Sequence, residues 1–288
     1  MLYVPFTLKN GLVMPELPEV ETVCRGLEPV LVGQVITRVD MHRKDLRKPF
    51  PRGLKTRVES AQVTHIDRRA KYILVHLNNG YALAMHLGMS GRIVFQPRDY
   101  KPQTHDHFIL HLQNGQQIVF NDPRRFGIVD LVALDDLETH VLFSHLGPEP
   151  LSNNFSGPVL QAALKGRTAA IKQAIMDQTI VVGVGNIYAS EALFRGGIHP
   201  EKAAGLLTGD QAEALVSAIK KVLREAIKAG GSTLRDHRQA NGELGYFQHR
   251  FSVYDREGQP CAVCVGRKPI QRIVQGGRSS FFCPHCQK

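Results

Sequence analysis

The chain has 288 residues, of which 43% are hydrophobic and 22% are charged, a balance typical of a folded globular protein and not of a disordered one. No run approaches the roughly 20 apolar residues that cross a bilayer, which argues against a membrane protein and favours a soluble, cytoplasmic one. The formal net charge of +10 indicates a polyanionic partner, although a well-solvated positive surface would give the same charge.

The first predicted element is a helix over residues 15–31, since prolines and glutamates open this segment as they do at helix N-termini. Its apolar side chains recur at helical spacing at Val20, Val23, Cys24 and Leu27. The apolar face that they form requires a core to pack against.

Between about residues 34 and 134 the pattern changes to short apolar runs separated by Asn-Gly, Gly-Gln and proline-containing turns. The dipeptides Asn79-Gly80 and Asn114-Gly115 each predict a β-hairpin. Seven or eight strands at this spacing predict an antiparallel β-sandwich or barrel.

The second half of the chain is predicted to be mainly helical, beginning after the proline-rich segment at residues 145–151. An earlier helix-turn element is predicted over residues 172–198, with a glycine-rich interruption at 182–186. The clearest helix follows Thr208, whose hydroxyl can cap it while Gln211 completes a capping box. Its buried stripe comprises Leu215, Ile219, Val222, Leu223 and Ile227.

Four of the five cysteines form two CxxC pairs near the carboxyl end, with 18 residues between the pairs. Each pair can hold one side of a tetrahedral metal ion as thiolates, and four sulfur ligands leave no position for a reactive water. We therefore expect one structural Zn²⁺, with free or redox-active cysteines as the alternative. The predicted ligands are Cys261, Cys264, Cys283 and Cys286.

The segment between the two cysteine pairs is predicted to be a basic β-hairpin. It carries Arg267, Lys268, Arg272 and Arg278, followed by Phe281 and Phe282. A basic hairpin suits contacts with phosphates, although a solvated positive face is the alternative.

Six motifs follow one another in a fixed order along the chain. They are MPELPEVE from Met14, RRAKY from Arg68, HLGMSG from His86, DPRRFG from Asp122, GVGNIYASE from Gly183 and the zinc module. In this order they resemble the bacterial formamidopyrimidine-DNA glycosylases, and the resemblance covers essentially everything from Met14 onward.

The resemblance implies an α+β fold in which an N-terminal antiparallel β-sandwich with a leading helix precedes a helix-two-turn-helix domain that ends in a zinc-finger β-hairpin. We place the boundaries at 15–147, 148–250 and 251–288, after an extension over 1–14. The implied function is that of a monomeric enzyme that excises 8-oxoguanine and formamidopyrimidines from double-stranded DNA. It then cleaves the strand at the abasic site, and it is expected to work at the bacterial nucleoid.

The family's chemistry assigns catalytic roles to five residues. The resemblance makes Pro15 the amine that forms a Schiff base, and Glu16 the general acid that protonates the deoxyribose ring oxygen. Glu19 resembles a supporting carboxylate, although glutamates in a first helical turn usually complement the helix dipole. Lys71 matches a lysine of lesion processing, and Arg278 matches the zinc-hairpin arginine of the later elimination step.

Three further residues match the side chains that enter the duplex when the damaged nucleotide is everted. They are Met89, Arg124 and Phe126, of which the arginine would face the orphaned cytosine. Without the resemblance, a methionine or phenylalanine on a strand would be assigned to the core. Nearby glycine-bearing turns favour exposed loop tips.

The remaining matches are contacts with the DNA backbone. Asn186 resembles a phosphate-binding asparagine, with a helix N-cap as the alternative, and His105 matches a DNA contact that can also be structural. A basic contact of the family falls on Gly166, and Lys165 or Arg167 is the candidate to replace it.

The thirteen residues before Met14 depart from the family pattern. An internal proline nitrogen is an amide and cannot act as a nucleophile, whereas an N-terminal proline is a secondary amine. We therefore predict that Met14 is the working start, or that residues 1–14 are removed.

Two alternative functions are considered. An endonuclease VIII-like enzyme of the same superfamily would prefer oxidised pyrimidines, but Leu17 stands where that branch typically has glycine. A non-catalytic, zinc-dependent DNA-binding protein is the second alternative, suggested by the N-terminal extension.

Overall fold

The computed structural model describes residues 14–232, 245–265 and 268–288. The predicted extension, apart from Met14, and Arg267 of the basic hairpin therefore lie outside the described residues. Among the residues described, no helix combines the length and the apolar character that a membrane crossing requires.

The first half of the chain folds into two four-stranded antiparallel sheets, which confirms the predicted sandwich. The strands are β1 (Ile36–Met41), β2 (Val63–Arg69), β3 (Tyr72–Leu77), β4 (Tyr81–His86), β5 (Arg92–Gln96), β6 (Asp106–Leu112), β7 (Gln117–Asn121) and β8 (Ile128–Ala133). One sheet has the order β1-β6-β7-β5 and the other β2-β3-β4-β8. The two Asn-Gly dipeptides lie in the connections from β3 to β4 and from β6 to β7, as predicted.

Six helices accompany the sheets within the described ranges. They are α1 (Leu17–Leu31), α2 (Leu54–Val58), α3 (Gly157–Leu164), α4 (Ile171–Met176), α5 (Asn186–Arg195) and α6 (Gly209–Lys228). The predicted capping box of α6 is present, because the Gln211 amide donates to Thr208 Oγ1 at 3.3 Å and the Thr208 amide donates to Gln211 Oε1 at 3.2 Å. The long helix therefore begins where its sequence signal places it.

Helix α1 contributes to both hydrophobic cores of the molecule. Val20, Val23 and Leu27 pack into the sandwich core, whereas Leu17 belongs to the core of the helical half. Both sets of side chains are almost fully buried, so α1 holds the two halves in a fixed relation. The first turn of α1 consequently lies at the junction between them.

The zinc module packs onto the helical half and shares its core. Strands β9 (Gln271–Gln275) and β10 (Arg278–Phe282) form the predicted antiparallel hairpin. Cys261 and Cys283 are buried in the core formed by α3 to α6. Gln287 accepts from the Cys283 amide at 2.9 Å and donates to the Ile198 carbonyl at 2.8 Å, which anchors the module next to the end of α5.

Candidate active site and metal centre

Glu16 lies at the junction of the two halves and is 2% exposed. It is the N-cap residue of α1, yet its carboxylate also accepts from the amides of Gly185 at 2.8 Å and Ile187 at 2.9 Å. These donors open α5, so one carboxylate from the first half caps a helix of the second. A β-carbon on Gly185 would collide with this carboxyl group, which explains the glycine at that position.

This arrangement corrects one alternative drawn from the sequence. Asn186 is not the N-cap of α5, because Gly185 occupies that position and Glu16 supplies the cap from outside the helix. The side chain of Asn186 instead accepts a hydrogen bond from Lys172 Nζ at 2.6 Å.

The environment of Glu16 suits a proton donor. Burial raises the pKa of its carboxyl to about 7 and outweighs the lowering effects of the Lys71 charge and of the amides that donate to it. At neutral pH a large share of the molecules therefore keeps the carboxyl proton. A carboxylic acid with this pKa is matched to general acid catalysis near neutral pH.

Glu19 supports Glu16 from the next turn of α1. Its Oε2 accepts from the Glu16 amide at 3.0 Å, while its Oε1 accepts from the Tyr188 hydroxyl at 2.6 Å and the Ser232 amide at 2.8 Å. The carboxylate is 3% exposed. It is thus a positioning group whose acceptor sites are occupied by the protein.

Two cations predicted from the sequence lie near this pair of carboxylates. Lys71 is buried in the turn between β2 and β3, and burial lowers the pKa of its ammonium group, which the charge of Arg278 lowers further. The charges of Glu16 and Glu19 act in the opposite direction. Arg278 is the exposed first residue of β10, so the zinc hairpin presents its guanidinium group to the same region.

Lys172 is a member of this cluster that the sequence reasoning missed. It is 1% exposed, and its Nζ donates to Asn186 Oδ1 at 2.6 Å, Ser280 Oγ at 2.7 Å and the Ser279 carbonyl at 3.0 Å. Burial lowers the pKa of Lys172 to about 7. A lysine within the apolar segment AAIKQAI was the available signal, because a buried lysine requires partners.

The predicted duplex-entering side chains lie on two adjacent loops. Gly88 has a φ of 63°, and a β-carbon there would lie 2.5 Å from the Phe126 backbone, so only glycine allows this close approach. Asp122 joins the loops, since its carboxylate accepts from Ser90 Oγ at 2.5 Å and from the Gly127 amide at 2.8 Å. Met89 is half-buried in the first loop.

The second loop pairs an aromatic ring with a guanidinium group. Phe126 is 42% exposed, and the Cζ of Arg124 lies 4.7 Å from the centre of its ring. The Nη1 of Arg124 is buried and has no hydrogen-bond partner among the described residues. A movement of the Arg124 side chain that exposes this nitrogen would allow it to bind an acceptor group from outside the protein.

The other predicted DNA contacts are His105, whose carbonyl accepts from the Asp122 amide at 2.9 Å beside the second loop, and the pair Lys165 and Arg167. His105 is exposed with a left-handed φ of 77°, which is uncommon for a residue other than glycine. Lys165 and Arg167 flank Gly166 on the exposed loop between α3 and α4, and Arg167 forms an ion pair with Asp177 at 3.4 Å.

The four predicted zinc ligands converge as the sequence indicated. The Sγ atoms of Cys261 and Cys286 are 3.8 Å apart, those of Cys264 and Cys283 are 3.7 Å apart, and none of the four forms a disulfide. Thiolates at roughly 2.3 Å from a tetrahedral Zn²⁺ would be separated by about 3.8 Å. The donor set and its spacing therefore fit one structural zinc ion.

Three protein-family models match the chain in order. The formamidopyrimidine-DNA glycosylase N-terminal domain matches residues 14–129, and the H2TH domain of the same enzymes matches residues 146–238. A zinc finger found in FPG and IleRS matches residues 258–288.

Similar proteins match along nearly their whole length. The formamidopyrimidine-DNA glycosylase of Ruegeria pomeroyi is 52% identical over 285 residues, and that of Azorhizobium caulinodans is 51% identical over 294 residues. Each alignment covers 96% of this chain and 100% of the relative.

Solved structures agree with this relationship. The crystal structure of the MutM (Fpg) protein from Thermus thermophilus superposes with a TM-score of 0.85 at 41% identity, covering 95% of this chain and 98% of the other. A mutant Fpg from Lactococcus lactis in complex with Fapy-dG containing DNA gives a TM-score of 0.88 at 34% identity, covering 95% and 100%.

The raised pKa of Glu16 predicts a pH-dependent contribution to stability. In the 288-residue chain, the carbon-13 signal of this carboxyl should titrate near pH 7 instead of near 4.5. The folded state then holds a proton that the unfolded chain releases near pH 4.5, so the free energy of unfolding should fall as the pH rises from 4.5 to 7. Relative to Glu16→Gln, this fall should amount to roughly 3 kcal/mol in urea unfolding.

The matched control is Glu138→Gln, which removes an exposed carboxyl of the first half. A Glu16 signal that titrates below pH 5 would contradict the proposed role of this carboxyl as a proton donor.

Proposed function

The chain belongs to the formamidopyrimidine-DNA glycosylase family, and we propose that the cluster around Glu16 performs the reaction of this family. The protein is a DNA glycosylase of base excision repair that removes oxidised purines and, as an abasic-site lyase, cleaves the DNA strand. Relatives that are 52% identical over their full length carry this activity in their name, which disfavours both a pyrimidine-specific enzyme and a non-catalytic DNA-binding protein.

One observation carries the proposal for the catalytic site. Directly after Pro15, the buried carboxyl of Glu16 has a pKa of about 7 at the junction of the two halves. A proton donor is thereby held beside a nitrogen that becomes a secondary amine when Pro15 is the first residue. The positive end of α1 disfavours protonation of that amine.

In the first step, the Pro15 nitrogen attacks C1′ of the damaged nucleotide. The glycosidic bond breaks, its electron pair leaves with the base, and the proton that the attacking amine loses neutralises the departing base. Glu16 then protonates the deoxyribose ring oxygen as the sugar opens, which leaves a cationic iminium between Pro15 and C1′. Glu19 keeps Glu16 in place through the hydrogen bond from the Glu16 amide.

In the later steps, the iminium accepts the electron pair released when the C2′ proton is removed. The 3′ phosphate leaves in this elimination, and the 5′ phosphate leaves in a second one. We assign Lys71 to lesion processing near the 5′ phosphate and Arg278 to phosphate binding during the second elimination. The charge of Lys71 lowers the pKa of Glu16 and the charge of Arg278 lowers the pKa of Lys71, so both cations lie near the acid, which supports this assignment.

Met89, Phe126 and Arg124 are proposed to occupy the duplex when the damaged nucleotide is extruded. Extrusion costs a few kcal/mol of stacking and pairing, which two apolar side chains can partly replace. The buried Nη1 of Arg124 has no partner among the described residues, and it can donate to the orphaned cytosine. The two loops lie in close contact at Gly88, which supports a shared role for the three side chains that they carry.

The remaining contacts are proposed to bind the DNA backbone. Asn186 lies at the opening of α5 and is held there by Lys172, while His105 and Lys165 or Arg167 lie on exposed loops. We propose that the protein acts as a monomer on double-stranded DNA with oxidised bases or abasic sites, in the cytoplasm at the nucleoid. The excess of positive charge supports binding to a polyanion.

We also propose that the chain divides functionally at 15–147, 148–250 and 251–288, with residues 1–14 outside the enzyme. Four thiolates are proposed to hold the zinc ion, whose role is to fold the hairpin that presents Arg278. The shared core of the helical half and the zinc module supports their action as one DNA-binding unit.

The need for a free amine predicts different outcomes for two forms of the chain. With borohydride and a duplex containing 8-oxoguanine, a chain that begins at Pro15 should form a trapped covalent adduct. A chain that begins intact at Met1 should form none, because its Pro15 nitrogen is an amide. Gel shift and mass spectrometry measure both the adduct and the N-terminus.

Glu16→Gln in the shorter form is the matched variant, and it should bind the duplex while losing most of the trapped adduct, because the sugar ring no longer opens to the iminium. An equal adduct yield from a chain confirmed to begin at Met1 would refute the role of Pro15. A much stronger adduct on a thymine glycol duplex would instead favour the pyrimidine branch.

Loss of zinc is expected to weaken DNA binding and base release together. Cys283→Ser removes one ligand from the core of the helical half, so the hairpin with Arg278 loses its support. The slope of log affinity against log salt should fall by about 1 for the lost phosphate contact. Fluorescence anisotropy at several salt concentrations measures the affinity and its salt slope, elemental analysis measures the zinc content, and an excision assay measures base release.

The control for that experiment is Cys24→Ser, which changes a buried thiol of the first half and should keep one zinc ion per chain. Wild-type affinity and activity in a Cys283→Ser protein shown to be free of zinc would contradict the role given to the hairpin.

The two apolar loop residues should matter most when a base has to be extruded. The double variant Met89→Ala and Phe126→Ala should excise 8-oxoguanine from a duplex roughly tenfold or more slowly, because extrusion is no longer compensated. Cleavage of a preformed abasic site, which has no base to extrude, should slow less. Single-turnover kinetics on the two substrates measure this ratio.

Met41→Ala, which shortens an exposed methionine of β1, is the control and should leave both rates unchanged. Equal slowing of both reactions in the double variant would show that the loops act after extrusion.

A further inference from the structure

The exposed face of the β2–β3 hairpin carries three metal-ligating side chains outside the active site. His65 of β2 lies directly opposite His76 of β3, and Asp67 lies two residues further along β2 on the same face. One ligand atom of each side chain lies within 4.8 Å of the other two. Two imidazoles and one carboxylate are the donor set of many sites for divalent transition metals.

His76 supplies an independent sign that a ligand is missing from this cluster. Its side chain is 8% exposed, yet its Nε2 has no hydrogen-bond partner among the described residues. Asp67 Oδ1 lies 3.2 Å from this nitrogen, which is an ion-pair distance, but the two atoms are not aligned for a hydrogen bond. A buried polar nitrogen without a partner is rare in folded proteins, and a bound cation would satisfy it.

The geometry fits an ion after a small side-chain movement. Ligands at roughly 2.0–2.1 Å from a tetrahedral ion are about 3.4 Å apart, close to the separation of Asp67 and His76. The His65 ring is stacked on the His76 ring, with centroids 3.8 Å apart and planes 16° from parallel. His65 is exposed, and its Nδ1 shares a 3.3 Å hydrogen bond with Thr64 Oγ1, so a tilt of the ring toward the shared ion exchanges that hydrogen bond for a metal bond.

We propose that His65, Asp67 and His76 form a second metal site, which binds one divalent transition-metal ion, Zn²⁺ above all, with water in the open position. The ion joins β2 to β3 just beyond an irregularity in their pairing between Val63 and His65. Lys71 lies six positions after His65, on the order of 15–20 Å along an extended strand, so the ion takes no part in base excision. Its effect is to stabilise the folded sandwich, because the unfolded chain lacks the assembled site.

The experiment uses the full chain already loaded with one zinc ion, verified by elemental analysis. This protein is titrated with ZnCl₂ by isothermal titration calorimetry, and it should bind one further equivalent. His65→Gln should weaken this second binding event roughly tenfold or more, because one of three protein ligands is lost. His145→Gln removes an exposed histidine elsewhere in the first half and should bind the second equivalent like the wild type.

Thermal unfolding provides the second readout. Added ZnCl₂ should raise the melting temperature of the zinc-loaded wild type and of His145→Gln, but not of His65→Gln. Without added zinc the three proteins should melt together, since His65 and His145 are both exposed. A wild type that binds no second equivalent, or a His65→Gln variant that binds it with unchanged affinity, would overturn the proposal.

Discussion

The architecture of the active site depends on the carboxyl group of Glu16, which caps α5 from the other half of the molecule. Ordinary helices satisfy their first amides with a nearby side chain or with water. Here the cap arrives from 169 residues earlier in the chain, so Glu16 and α5 are positioned by one set of hydrogen bonds. The burial that this interaction requires also raises the pKa of Glu16 into the range in which it can donate a proton.

Much of the fold was predictable because it follows from local rules. The Asn-Gly turns, the Thr208 capping box and the cysteine spacing each act within a few residues, and each was confirmed. The motif order identified the family and thereby pointed to Pro15 and Lys71, whose roles remain proposals. The partners of Lys172 and the cap of α5 could not be predicted, because they join segments that are far apart in sequence. For the same reason, the sequence could not show that Gly185 is the N-cap residue of α5 and that Glu16 supplies the capping carboxylate.

Hydrogen bonds from several distant segments of the chain converge on helix α5. Glu16 binds its first amides, and Lys172 connects Asn186 in its first turn to Ser280 of the zinc hairpin. Further along, the Glu191 carboxylate accepts amides from residues 252–254, which lead into the zinc module. Glu16, the helix and the zinc hairpin are therefore joined by a continuous set of hydrogen bonds, and only a few of them separate Ser280 from Glu16.

The loops that carry Met89 and Phe126 are held by both oxygens of a buried carboxylate, Asp122, and by a backbone approach that only glycine allows. In the proposed complex with DNA, loop tips fixed in this way have little freedom to adapt to the duplex. When the protein meets DNA, the duplex therefore deforms instead of the loops. The local stiffness of the DNA then decides how far a base step opens. Under the proposed role of these loops, the sorting of damaged from intact sites begins as a mechanical test of the duplex, before any atom of the lesion is recognised.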